Sequence, residues 1–267
     1  MILNMFNPLT NSIIMKSKQL SSYSKTGYSE VDKTIRLNKF LSNAGICSRR
    51  EADEFIKMGL VQINGKIITE MGYQVKSNDE VKYDGSRVQK SPPTYLLLNK
   101  PKGFVATSQG GKINKSVQDL IRSGLKTKVL PIGDMGRPMT GLLLFTNDEL
   151  LRKKLKNSSR VSMIYQVLTD QNITKGMMDK LKDGQMVFEK IQKVTSISFI
   201  QGKSKKEVGV EVHSLSPSVM FKLFATIGLK ILQMDRVTYG GLTKKDLPRG
   251  KWRKLNSKEI GFMNMIP

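Results

Sequence analysis

Residues 36–66 read RLNKFLSNAGICSRREADEFIKMGLVQINGK, and their spacing alone lays out a small folding unit. Leu37, Phe40, Leu41 and Ala44 recur at i, i+3, i+4 and i+7, which predicts one apolar face of a helix that Gly45 ends in the left-handed conformation. Ser48 and Glu51 form a Ser-x-x-Glu capping box, so a second helix starts there, buries Ala52, Phe55 and Ile56, and stops at Gly59. Val61 and Ile63 then alternate inward before Asn64-Gly65, a strong two-residue hairpin signal, returns the chain through Ile67 and Thr69. The expected unit is a helical hairpin followed by a strand hairpin. Arg49 and Arg50 fall in the first turn of the capped helix, where guanidinium groups and free backbone N–H groups can together hold a phosphate. Ordinary solvated arginines are the alternative that position alone leaves open.

Working outward, residues 1–33 contain no acidic residue before Glu30 and are rich in Ser and Lys, as organelle transit peptides are, yet contain no Arg. We read them as a flexible tail. Residues 34–93 form the small domain, and Ser91-Pro92-Pro93 stiffens a short linker to a second domain over residues 94–267. There YLLLNKPKGFVAT reads as a buried strand, a Lys-Pro-Lys-Gly turn and a second strand. Further strands are expected at Tyr165 to Thr169, Val194 to Ile200 and Val208 to His213, and helices at Lys115 to Ser123, Asp148 to Leu155, Thr174 to Asp183 and Ser218 to Gly228. Interleaved strands and helices predict an α+β chain whose larger domain is built on a mixed sheet.

Lys and Arg number 45 against 22 Asp and Glu, a formal charge of +23, which points to a polyanionic partner. Residues 94–267 carry 31 basic and 13 acidic groups, whereas residues 34–93 carry 10 and 7, so most of the excess lies in the larger domain. No segment joins a basic face to a broad apolar one with interfacial aromatics, and no run of about 18 apolar residues exists; nucleic acid is therefore the expected partner and a membrane is not. The single cysteine, Cys47, rules out an internal disulfide and is read as a small buried hydrophobe in a chain of the reducing cytoplasm. The single histidine, His213, has no ligand-like neighbours in sequence, so no metal site is expected.

The run from Arg36 to Lys66 resembles, without a gap, the alpha-L RNA-binding motif shared by a small-subunit ribosomal protein, tyrosyl-tRNA synthetases and RsuA/RluB-type pseudouridine synthases. The resemblance implies that Arg36, Lys39, Ser48, Arg49, Arg50 and Lys66 face RNA. Residues 133–148, GDMGRPMTGLLLFTND, resemble the signature GRLD-x-x-T-x-GLLL-x-TND of the RsuA/RluB-type enzymes. Gly133, Gly141, Leu142 to Leu144, Thr146, Asn147 and Asp148 fit it, as do the words around the Lys100-Pro101-Lys102 turn and the closing DRVTYGGLTKKDLPRGKWRKL; Lys100 and Lys102 join the RNA-facing candidates. The likeness covers nearly all of residues 34–260.

What departs from the signature is the chemistry. Gly136 stands where the family keeps its nucleophilic aspartate, Asp134 where it has arginine, and Met139 where it has threonine. In MIYQV, Tyr165 fits the tyrosine that stacks on a flipped base, but Met163 replaces a lysine; Ser216 to Val219 replace a polar and basic Arg-Asn-Arg-Gln group, while Arg236 is retained. The family reaction needs no cofactor. The resemblance thus implies an RNA-binding protein, bound to ribosomal RNA or ribosomal particles, without catalysis. Two alternatives stay open: an active synthase using the displaced carboxylate of Asp134, which a two-residue shift misplaces by several ångströms, or a scaffold whose Met139, Met163, Val219 and Met220 make the degenerate cleft a protein-partner surface.

Overall fold

The computed structural model describes residues 34–89, 91–107, 114–125, 127–213 and 215–267; the expected tail at 1–33 lies outside them. The chain packs two hydrophobic cores, one drawn from residues 37–88 and the other from residues 96–263.

The first unit holds β1 (Ile35–Arg36), α1 (Leu37–Asn43), α2 (Arg49–Lys57), β2 (Val61–Ile63), β3 (Lys66–Ile67), β4 (Gln74–Val75), β5 (Val81–Tyr83) and β6 (Ser86–Arg87). Leu37, Phe40 and Leu41 of α1 meet Ala52 and Ile56 of α2 in the core, as the spacing predicts. The capping box is complete: Glu51 N donates to Ser48 Oγ at 3.2 Å and Ser48 N to Glu51 Oε2 at 2.7 Å. Asn64 and Gly65 have φ of 51° and 81°, the left-handed pair of a type I′ turn. The strand hairpin is larger than expected, a four-stranded sheet in the order β3-β2-β5-β6. Asp84-Gly85, a second left-handed pair, turns β5 into β6. β3 ends at Ile67, which is exposed; Ile68 N adds one more rung of the same register to Val61 O, and Thr69 lies beyond it.

The larger unit holds β7 (Tyr95–Lys100), α3 (Val117–Ile121) with a 3-10 turn at Arg122–Gly124, β8 (Leu130–Pro131), β9 (Met139–Thr146), α4 (Glu149–Asn157), β10 (Ser162–Thr169), α5 (Lys175–Asp183), β11 (Gln185–Val187), β12 (Lys190–Gln192), β13 (Ser196–Phe199), β14 (Glu207–His213), α6 (Pro217–Thr226), β15 (Ile231–Tyr239), β16 (Leu242–Thr243), β17 (Trp252–Lys254) and α7 (Ser257–Met265). Nine strands form the mixed sheet, in the order β13-β14-β10-β15-β9-β7-β17 with β8 on β9 and β16 on β15. Every neighbour is antiparallel except β9 with β15. Leu96, Leu97 and Leu98 in β7 and Leu142 to Phe145 in β9 are all buried, so both faces of the central strands are covered. At the parallel crossing only glycine fits: Gly141 has φ of 104°, and a Cβ there would lie 2.2 Å from the backbone oxygen of Arg236.

The second strand expected after the Lys-Pro-Lys-Gly turn reduces to two bridges. Val105 pairs with Ser116 and Ala106 with Met135, and two partners that diverge cannot extend a ladder. The Ala106–Met135 bridge instead pins the loop that carries Asp134 and Gly136, with Ala106 N to Met135 O at 2.9 Å and the reverse bond at 3.0 Å. The retained Thr146-Asn147-Asp148 triplet braces the frame. Asn147 Oδ1 accepts from Thr94 N at 2.7 Å and its Nδ2 donates to Pro92 O at 2.9 Å, while Asp148 caps α4 and accepts from the Tyr95 hydroxyl at 2.9 Å.

Candidate functional site

A cavity of about 480 Å³ opens beside the 133–139 loop. Asp134, Gly136, Met163, Tyr165, Ser216 and Arg236 all line it, so the fold brings together the positions that sequence spacing kept far apart. β10 and β15 supply the floor through the register Tyr165↔Arg236, and the first turn of α6 supplies a wall. Ser216 caps that helix, accepting from Val219 N at 3.4 Å, and its hydroxyl lies 3.0 Å from that of Ser218. Tyr239 lines the cavity as well and was missed in the sequence. A register irregularity between Ile164 and Tyr165 puts Met163 opposite Tyr239 and Tyr165 opposite Arg236, so no simple alternation of residues in β15 announced it.

The chemistry of the floor is set by Arg236, which is 4% exposed. Its Nε donates to Leu142 O at 2.7 Å, its Nη1 lies 3.5 Å from both the Tyr165 hydroxyl and the Met163 sulfur, and its guanidinium sits over the Tyr239 ring at 4.7 Å. Its Nη2 has no hydrogen-bond partner among the described residues. Burial pushes the Tyr239 hydroxyl up to about 12, so that ring stays neutral at physiological pH. Gly136 is exposed at the cavity edge, and a Cβ built on it would touch only Pro138 Cδ, at 3.6 Å. A side chain would fit there. Asp134 is exposed in the same loop.

Lys100 is corrected by the structure. It was expected to face RNA, but it has no exposed surface. Its Nζ donates to the carbonyls of Met139 at 2.6 Å, Gly136 at 3.0 Å and Pro101 at 3.2 Å, holding the loop from below. The cause is its place as the last residue of β7, paired with Gly141, which points the side chain under the loop instead of into solvent. Burial, with the Arg249 charge nearby, lowers this amine to about 8. Lys102 stays exposed.

Among the small-domain candidates, Arg36, Arg49, Arg50 and Lys66 are exposed and form no ion pair among the described residues. Lys39 is half-buried and pairs with Glu149 of α4, joining the two units, and the Ser48 hydroxyl is engaged in its cap. Cys47 is half-buried and burial raises its thiol, as a small apolar filler requires. His213 is exposed with Nδ1 2.8 Å from Thr195 Oγ1. Of the residues considered for a partner surface in the cleft, Met139 and Met163 are buried side chains that line the cavity, Met220 is buried in the core and Val219 packs against it. Further along the closing motif two retained residues are structural: Arg253 makes a two-pronged pair with Glu259 at 2.8 and 2.6 Å, and Leu247 O accepts from Asn99 Nδ2 at 2.8 Å. No helix among the described residues is long and apolar enough to cross a membrane.

The family described as S4 domain matches residues 35–81, and that described as RNA pseudouridylate synthase matches residues 94–217. The chain is 30% identical over 229 residues to the ribosomal large subunit pseudouridine synthase B of Bacillus subtilis (strain 168), covering 84% of this chain and 93% of that protein. It is 31% identical over 238 residues to the dual-specificity RNA pseudouridine synthase RluF of Escherichia coli (strain K12), covering 86% and 78%. The fold is also similar to a crystal structure of a pseudouridylate synthase, with a TM-score of 0.61 at 21% identity over 86% of this chain and 99% of that one.

Proposed function

Since this chain belongs to the RNA pseudouridine synthase family, we propose that it binds ribosomal RNA, free or in ribosomal particles, without isomerising uridine. The observation that carries this reading is Gly136: the position that the family resemblance gives to the nucleophilic aspartate lies at the cavity edge and presents no side chain. Met163 in the lysine position and the Ser216 to Ser218 turn in place of the Arg-Asn-Arg-Gln group remove the basic surroundings as well. Binding needs none of these groups. It draws on the exposed Arg36, Arg49, Arg50, Lys66 and Lys102 and on the formal charge of +23.

One observation favours a second reading, an active synthase: Asp134 lines the same cavity as Tyr165 and Arg236. The deciding experiment crosslinks the protein to RNA in its own cells and maps pseudouridines after deletion. Bound ribosomal RNA with every pseudouridine intact supports the first reading; a lost pseudouridine that also disappears with Asp134→Ala establishes the second. We further expect Gly136→Asp to stay roughly 100-fold or more below an intact family member in a uridine isomerisation assay, because one restored carboxylate lacks the lysine and polar group around it. Substantial turnover by that single variant would show that the remaining site is intact.

A further inference from the structure

We propose that the Lys39–Glu149 ion pair is an exchangeable latch: a phosphate of bound RNA takes Lys39 from Glu149 and releases the small unit from α4. The inference rests on the RNA binding proposed above. Lys39 belongs to α1 and Glu149 to the first turn of α4, so the pair joins the two units directly. Each side chain keeps 22% of its surface exposed, which lets a phosphate oxygen reach the ammonium. Arg36 lies three residues before Lys39 and is exposed, so the two cations can hold one phosphate together.

The partners lose different things on parting. Glu149 keeps Arg152 Nη2 and Lys153 Nζ, each 3.9 Å from its carboxylate, so it is not left as an uncompensated charge. Lys39 gains a phosphate, whose neutralisation sets counterions free. A pair this exposed is weak and yields to that exchange. Among the described residues the seam is otherwise loosely fastened. Lys128 Nζ lies 3.5 Å from Ser42 Oγ, and a cavity of about 150 Å³ remains between Ile35, Phe40, Asn43 and Ala44 on one side and Ser91 and Asn147 on the other. The two hydrophobic cores share no residue. Domains move across interfaces of this kind unless a large apolar contact holds them. By linkage, RNA opens the latch and whatever opens the latch strengthens RNA binding.

The test uses the full chain and purified ribosomal RNA fragments. Fluorophores at Ser77→Cys and Gln201→Cys, in a Cys47→Ala background, report the placement of the units by energy transfer, since both positions are exposed and one lies in each unit. RNA is expected to change the transfer, and Glu149→Gln to bring it toward the RNA-bound value with no RNA present. Glu149→Gln should also bind RNA about threefold more tightly, because the competing state is removed. Asp179→Asn, which neutralises an exposed carboxylate of α5, controls for charge alone, and in a Lys39→Met background Glu149→Gln should do no more than that control. Weaker RNA binding by Glu149→Gln would mean that the pair aligns the units for RNA, and it overturns the proposal. Equal tightening by Asp179→Asn, tightening that persists with Lys39→Met, or transfer that bound RNA leaves unchanged overturns it too. A parent chain that binds no RNA overturns the proposed function as well, which separates the two failures.

Discussion

Lys100 carries the sharpest single-residue consequence. Its amine holds the carbonyls of Gly136 and Met139, and replacing it with methionine keeps the stem but leaves those acceptors without a donor. We expect Lys100→Met to lose about 2 kcal/mol at neutral pH by denaturant unfolding. The pH profile has a definite sign. Lowered to about 8 in the fold from its ordinary 10.5, the amine is charged in both states below pH 8; above it the folded protein gives up a proton that the unfolded chain keeps. Stability from this group therefore rises with pH, by about 2 kcal/mol between pH 8 and 10. Tyr95 and Tyr239, both pushed up to about 12, act in the opposite direction only above their ordinary 10. The rise should vanish in Lys100→Met, and an identical slope in both proteins would assign it to another group.

At the scale of elements, the β11–β12 hairpin stands out. Phe188 and Glu189 occupy its turn with φ of 50° and 60°, a region that L side chains enter at a cost of roughly 1 kcal/mol each. Phe188 is also 65% exposed, so little packing offsets that strain. Replacing the pair with Asn-Gly is expected to stabilise the protein by about 1 kcal/mol and raise Tm by about 3 °C in a melting experiment. An unchanged or lower Tm would mean that Phe188 contributes contacts that the exposed turn conceals.

For the whole molecule the governing quantity is charge. A formal +23 on 267 residues makes RNA affinity a matter of counterion release, and with roughly 6 phosphate contacts it should fall on the order of 1,000-fold between 50 and 200 mM salt. Arg49 and Arg50 project from the first turn of α2, whose cap is made by Ser48 and Glu51, so Arg49→Ala with Arg50→Ala should weaken binding and flatten the salt slope while far-UV circular dichroism stays unchanged. An unaltered slope in the folded double variant would transfer the contact to the larger unit, which carries 31 basic groups.

What the amino-acid sequence determined by itself is whatever depends on neighbours along the chain. The Ser48–Glu51 cap, the Asn64-Gly65 turn, the stops at Gly45 and Gly59, and α3 to α6 with β7, β10, β13 and β14 of the larger unit followed from periodicity, caps and turn chemistry acting over three to seven residues; β9 and β15, the parallel pair beside the site, did not. The substitution at Gly136 was equally legible, through the signature around it. The hairpin at 185–192 was not, because Phe188-Glu189 carries no turn signal. The site itself was decided only by tertiary structure, since its bonds join residues far apart: Lys100 to Met139 across 39 positions, Arg236 to Leu142 across 94, and the supporting Asn99 to Leu247 across 148. Lys100 has the same local sequence whether it points into solvent or under a loop. Strand pairing chooses between the two, and the same pairing leaves Arg236 buried with donors to spare.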